Sequence, residues 1–178
     1  MNDYAFLYTD YDYFVWFAQR TQDNLNNVLS WKRLRAGRRN INNIVNLWNE
    51  EHHRLNLNLP EVEELAVTSR AFLYHLNDPS NYPIFDSNVH RAMRKLNQYY
   101  LQKTPVGFNR NDDYTWEHYT DYYRDAFNNL YNEQQNQLVP VELPEINGIE
   151  QLDVELIKRR MLDRALWAYG IVLDRQNH

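Results

Sequence analysis

Hydrophobic and polar positions recur with a helical period along nearly the whole chain. From Tyr13 to Leu29 the residues Phe14, Phe17, Ala18, Leu25, Val28 and Leu29 fall inward and predict one helix. The tract WKRLRAGRRN, with Gly37, reads as a basic connector. Ile41 to Leu55 predicts a second helix, with Ile41, Ile44, Val45 and Trp48 on one stripe and a polar tail from Glu50 to Arg54. Pro60, followed by Glu61, Glu63 and Glu64, opens a third helix that should run to about Leu76. Asn77 to Pro83 is a break. Asp86 then stands where an N-cap belongs, ahead of Val89, Ala92, Met93 and Leu96. Lys103 to Tyr114 predicts a polar loop, Trp116 to Leu138 a helix, Val139 to Gly148 an extended linker and Ile149 to Leu173 the last helix. The pattern predicts one all-α domain over residues 1–178, a helical bundle of about six to eight helices.

Composition supports this picture. Of 178 residues, 43% are hydrophobic and 15% aromatic, enough to bury a real core. The absence of cysteine excludes disulfides, thiolate metal sites and a Cys nucleophile. With 4 Gly and 6 Pro, turn-dense all-β folds and glycine-rich phosphate loops are disfavoured. No apolar run is long enough for a membrane span. The start, MNDYAFLYTDYDYF, is acidic and aromatic, unlike a signal peptide, so a cytoplasmic location is expected.

A net charge of -5 conceals an uneven layout. Asn24 to Asn49 holds no acid but Lys32, Arg33, Arg35, Arg38 and Arg39. Ser87 to Asn111 holds none either, with Arg91, Arg94, Lys95, Lys103 and Arg110. From Asp112 to Glu155, eleven acids face Arg124 alone. Such a dipole can steer a polyanion to one face; it is equally the pattern of solvated helix faces.

Candidate chemistry is sparse. His52 and His53 are adjacent, about 100° apart on a helix, and do not chelate together, so no metal site is expected. Tyr119, Tyr123 and Phe127, four apart, read as a core stripe before a base-stacking one. Asp86 has two readings from the residues alone: an N-cap, or a carboxylate held at a helix start where a phosphate also fits.

The stretch SRAFLYHLNDPSNYPIFDSNVHRAMR, residues 69–94, resembles the catalytic region of the helix-hairpin-helix DNA glycosylases. Its likeness is to the compact 8-oxoguanine-glycosylase-like bacterial proteins. Their Ser-Lys, short apolar helix and F-P-I-x-D-S-x-V are similar to Ser69-Arg70-Ala71-Phe72-Leu73 and Tyr82-Pro83-Ile84-Phe85-Asp86-Ser87-Asn88-Val89. Asp163-Arg164-Ala165-Leu166-Trp167-Ala168-Tyr169-Gly170 resembles their D-x-A-L-W-x-x-G ending. Together these blocks cover roughly residues 60–172; residues 1–55 carry no such likeness.

The resemblance implies a base-excision activity on duplex DNA, without cofactor or metal. By similarity Asp86 is the carboxylate that stabilises positive charge on the sugar. Arg70 takes the place of the usual nucleophilic Lys, and Arg91, Arg94, Lys95, Arg38 and Arg39 are the cations for phosphates. Tyr74, Phe85, Asp163 and Trp167 would line the base pocket. A guanidinium stays protonated and is a poor nucleophile, so any activity is expected to be monofunctional. Leu59-Pro60-Glu61-Val62-Glu63 carries Glu at both positions where the family's hairpin has Gly, and carboxylates there repel phosphate. The other reading is a catalytically inactive helical domain that binds nucleic acid or a protein partner.

Overall fold

The computed structural model describes residues 10–32, 47–103, 115–139 and 152–176. Arg38, Arg39, the expected helix start at Ile41, most of the Lys103–Tyr114 loop and the linker from Pro140 to Gly148 lie outside the described residues. The architecture is all-α, with one small antiparallel ladder. Among the described residues, no helix is long and apolar enough to cross a membrane. The chain gathers into two compact units: Met1–Leu65 with Pro140–Val154, and Ala66–Val139 with Glu155–His178.

In the first unit, helices α1 (Tyr11–Ala18) and α2 (Gln22–Trp31) replace the single helix expected over 13–29. Thr21 causes the break. Its hydroxyl accepts from the Asn24 amide at 3.2 Å, which caps α2, while the Asn24 side chain donates to the Gln19 carbonyl that ends α1. Tyr13, Phe14 and Trp16 bury one face of α1, and Leu25, Val28 and Leu29 one face of α2. The helix expected to reach Leu55 is absent over the described part of that span. Trp48–Asn49 (β1) and Arg54–Leu55 (β2) pair antiparallel, Trp48 opposite Leu55. The turn between them is built by side chains and by one unusual backbone. The Asn49 side-chain oxygen accepts from the His52 amide at 3.0 Å, and His53 adopts a left-handed φ of 47°. This local alternative outcompetes the helix that the apolar spacing suggests.

The expected third helix is also split, into α3 (Pro60–Glu63) and α4 (Val67–Asn77). Ala66 is extended, and its carbonyl restarts the ladder by accepting from Ser69 and Arg70.

In the second unit, α4 is followed by α5 (Ser87–Leu96) and α6 (Gln98–Lys103), then by α7 (Trp116–His118), a π-helical turn (Tyr119–Tyr123) and α8 (Arg124–Gln134). The last helix, α9, spans Val154–Gln176. The core joins Ala71 of α4, Val89, Ala92 and Met93 of α5, Phe127 of α8, and Leu162 and Leu166 of α9. The stripe Tyr119, Tyr123 and Phe127 is fully buried, as its spacing predicts. Leu96, expected inward, is 54% exposed because Asn97 ends the helix and turns the chain into α6.

Candidate functional site

The loop that delivers Asp86 is tied down from several sides. Asp78 accepts from the backbone and side-chain amides of Asn81, closing a turn after α4. The His75 Nδ1 lies 2.6 Å from the Tyr82 carbonyl. The widened π turn puts Tyr119 and Tyr123 on one face, rings stacked 5.9 Å apart. Their hydroxyls donate to consecutive carbonyls, Tyr119 to Pro83 at 2.8 Å and Tyr123 to Ile84 at 3.0 Å. Burial holds both phenols well above the usual tyrosine range, so they stay protonated donors. Phe85 is wholly buried between the same two rings, at 5.4 and 4.7 Å. Extended backbone at Asp86 then opens α5. Its Oδ1 accepts from the Asn88 and Val89 amides at 2.9 and 3.1 Å. The carboxylate is half-buried and fixed in orientation.

Helix α9 brings the second sequence block to this point. Gly170 meets the first turn of α5 so closely that a Cβ there would lie 2.0 Å from the Asn88 carbonyl oxygen. Arg91 locks the crossing: Nη1 donates to the Asn88 side chain at 3.0 Å and to the Gly170 carbonyl at 2.9 Å, and Nη2 pairs with Asp174 at 2.8 Å. About two turns back along α9, buried Asp163 pairs with buried Arg160. After burial, Asp163 is the largest influence raising the Tyr123 phenol, and Asp86 acts on the same phenol.

The other expected site residues lie elsewhere. Phe85 is core, not an open wall. Trp167 is 45% exposed on α9. Lys95 is exposed near the end of α5. Arg94 is half-buried beside His90 and His118, whose protonation it disfavours. Arg70 and Tyr74 belong to a separate group on α4 with Trp116: the Arg70 guanidinium lies 4.1 Å over the Trp116 ring and 5.8 Å from that of Tyr74. Glu61 and Glu63 are exposed on α3. Among the described residues, no three His, Asp or Glu side chains gather as a metal site.

Several residues escape the sequence reading. The Tyr100 hydroxyl is shared between His90 Nδ1 at 2.5 Å and His118 Nε2 at 3.1 Å, deep in the second unit. Burial, then His118, Arg94 and Arg91, lower His90 to about 3. Asp174 and Arg160 had no local signal. Gly170 did have one: a glycine inside a long helical pattern marks a close approach.

Chemically, an oriented carboxylate at a helix start can stabilise a positive centre placed before it. At the start of α5 the oriented carboxylate is Asp86, which also caps the helix. No family model, no curated protein and no solved structure matches the chain.

Proposed function

We propose that the unit formed by Ala66–Val139 and Glu155–His178 is a DNA-glycosylase-like domain that excises a base from DNA by hydrolysis. In this reading Asp86 stabilises the positive charge that builds on the sugar as the glycosidic bond breaks. Duplex DNA, opened locally to extrude the base, is the substrate, and no cofactor is needed because water is the nucleophile. The observation that carries the reading is the meeting of the two resembling blocks. Residues 82 positions apart touch through Gly170 and Asn88, and Arg91 of the first block donates to the Gly170 carbonyl of the second.

The test is excision from duplexes carrying 8-oxoguanine, an alkylated purine or uracil. Asp86→Asn keeps a competent cap oxygen, so stability should change by about 1 kcal/mol or less while excision disappears. Borohydride should trap no adduct, because Arg70 stacks on Trp116 and remains a cation. No excision by the unaltered protein on any lesion would end the catalytic assignment.

One observation favours the second reading, an inactive helical domain that binds nucleic acid or a protein. Arg91, the cation nearest Asp86 in sequence, is spent on Gly170 and Asp174. Retained DNA binding with no excision is the outcome that selects it.

A further inference from the structure

A row of three rings with a cation at each end runs across α4, the loop after it and the start of the π-containing helix. Arg70 lies 4.1 Å over Trp116. The Trp116 and Tyr74 rings are 4.8 Å apart, and those of Tyr74 and Tyr82 are 5.0 Å apart. Arg124 closes the row, 4.3 Å over Tyr82. All five side chains are half-exposed. Their rings stand tilted rather than closed into one stack, at 50° and 51°.

The two guanidiniums are held without being consumed. Among the described residues Arg70 makes no hydrogen bond and no ion pair; its Nε is buried under its own stack. Arg124 is pinned by one bond, Nε to the Asn81 carbonyl at 2.9 Å. A guanidinium held over a ring keeps N–H donors at its periphery that can grip a phosphate. Because the rings already fix both side chains, little rotamer entropy remains to be lost on binding.

We propose that this row is a contact surface for unpaired nucleotides, with phosphates on Arg70 and Arg124 and bases against the half-exposed Trp116, Tyr74 and Tyr82. The proposal rests on the nucleic-acid reading above and narrows it: single-stranded or locally opened DNA is preferred to intact duplex. Two features favour a single strand. Aromatic faces serve only bases that are free of a stack. Exposed Asp121 and Asp125 occupy the same helix, and a duplex would press a second row of phosphates toward them. Arg91, by contrast, is tied into the α5–α9 crossing and is not part of this surface.

The experiment is a salt titration of the full chain with fluorescent oligothymidine and with a duplex of the same length. The expected result is tighter binding of the single strand. Arg70→Gln and Arg124→Gln should each lower the slope of log K against log salt by about 0.7, the share of one phosphate contact on a single strand. Trp116→Leu should weaken binding about tenfold or more with the slope unchanged, since it removes stacking and not charge. Arg70→Lys retains the charge and tests folding: it should keep the slope and lose affinity. Equal or tighter duplex binding, or slopes unmoved in both Gln variants, overturns the proposal. Lost excision in Asp86→Asn with this strand preference intact leaves both readings standing. No excision by the native protein, with the preference intact, removes only the catalytic one. No binding of either DNA form removes both.

Discussion

Replacing Gly170 by Ala should destabilise the second unit, against the ordinary trend. In an exposed helix interior, Gly→Ala gains about 1 kcal/mol, because glycine has more backbone freedom to lose. Here the added Cβ would stand 2.0 Å from the Asn88 carbonyl oxygen, 2.5 Å from its carbon and 2.8 Å from its Cα. Ordinary contact begins near 3.4 Å, and all three obstacles are backbone. No rotamer change relieves them, so α9 must move off α5 by more than an ångström. That movement also stretches the Arg91 bonds to the Gly170 carbonyl and to Asp174. Overpacking costs about 1–3 kcal/mol and a strained hydrogen bond about 1 more, which together exceed the propensity gain. A net loss of about 1–3 kcal/mol is expected, or about 2–12 °C in Tm for a chain of this size. Urea unfolding followed by circular dichroism measures the total. Hydrogen exchange of the amides in α5 and α9 shows that the loss is local to the crossing. Ala168→Gly, exposed on the same helix, is the control and should cost only about 1 kcal/mol. A Gly170→Ala protein as stable as the native one would refute the close approach and, with it, the meeting of the two sequence blocks.

Acid should weaken the same unit. His90 is lowered to about 3 when folded against 6.5 when unfolded, so the unfolded chain takes up the proton first. Its contribution is complete above pH 6.5 and fades as pH falls from there toward 3, by about 2 kcal/mol at pH 5, with His118 adding in the same direction. The urea midpoint should be lower at pH 5 than at pH 7, and His90→Gln should flatten the dependence; an unchanged slope in that variant rules out the histidine. In the first unit, His53→Val should cost about 1–2 kcal/mol, because a β-branched residue resists a φ of 47°, whereas His53→Gly should be neutral or stabilising. Equal urea midpoints for the two variants would show that the turn does not depend on that backbone angle.

The sequence by itself determined the helical class, the buried tyrosine stripe and the cap at Asp86, because each is written in short-range spacing. A period of apolar residues, an Asp before a basic amphipathic run and tyrosines four apart need no distant partner to be read. It did not determine where helices stop when the stop is a side chain rather than a Gly or Pro. Thr21 divides α1 from α2, and Asn49 with His53 turns an expected helix into a hairpin. Those bonds compete with the helix by small margins that surrounding contacts decide. Only the tertiary structure decided the fate of the cations. Arg91 and Arg70 look alike along the chain, yet Asp174, 83 positions away, takes the first, and Trp116 merely supports the second. The reason is physical: a guanidinium's partner is whatever the packing of helices brings within about 4 Å, and helix packing is set by a glycine and a set of rings that the local pattern does not connect.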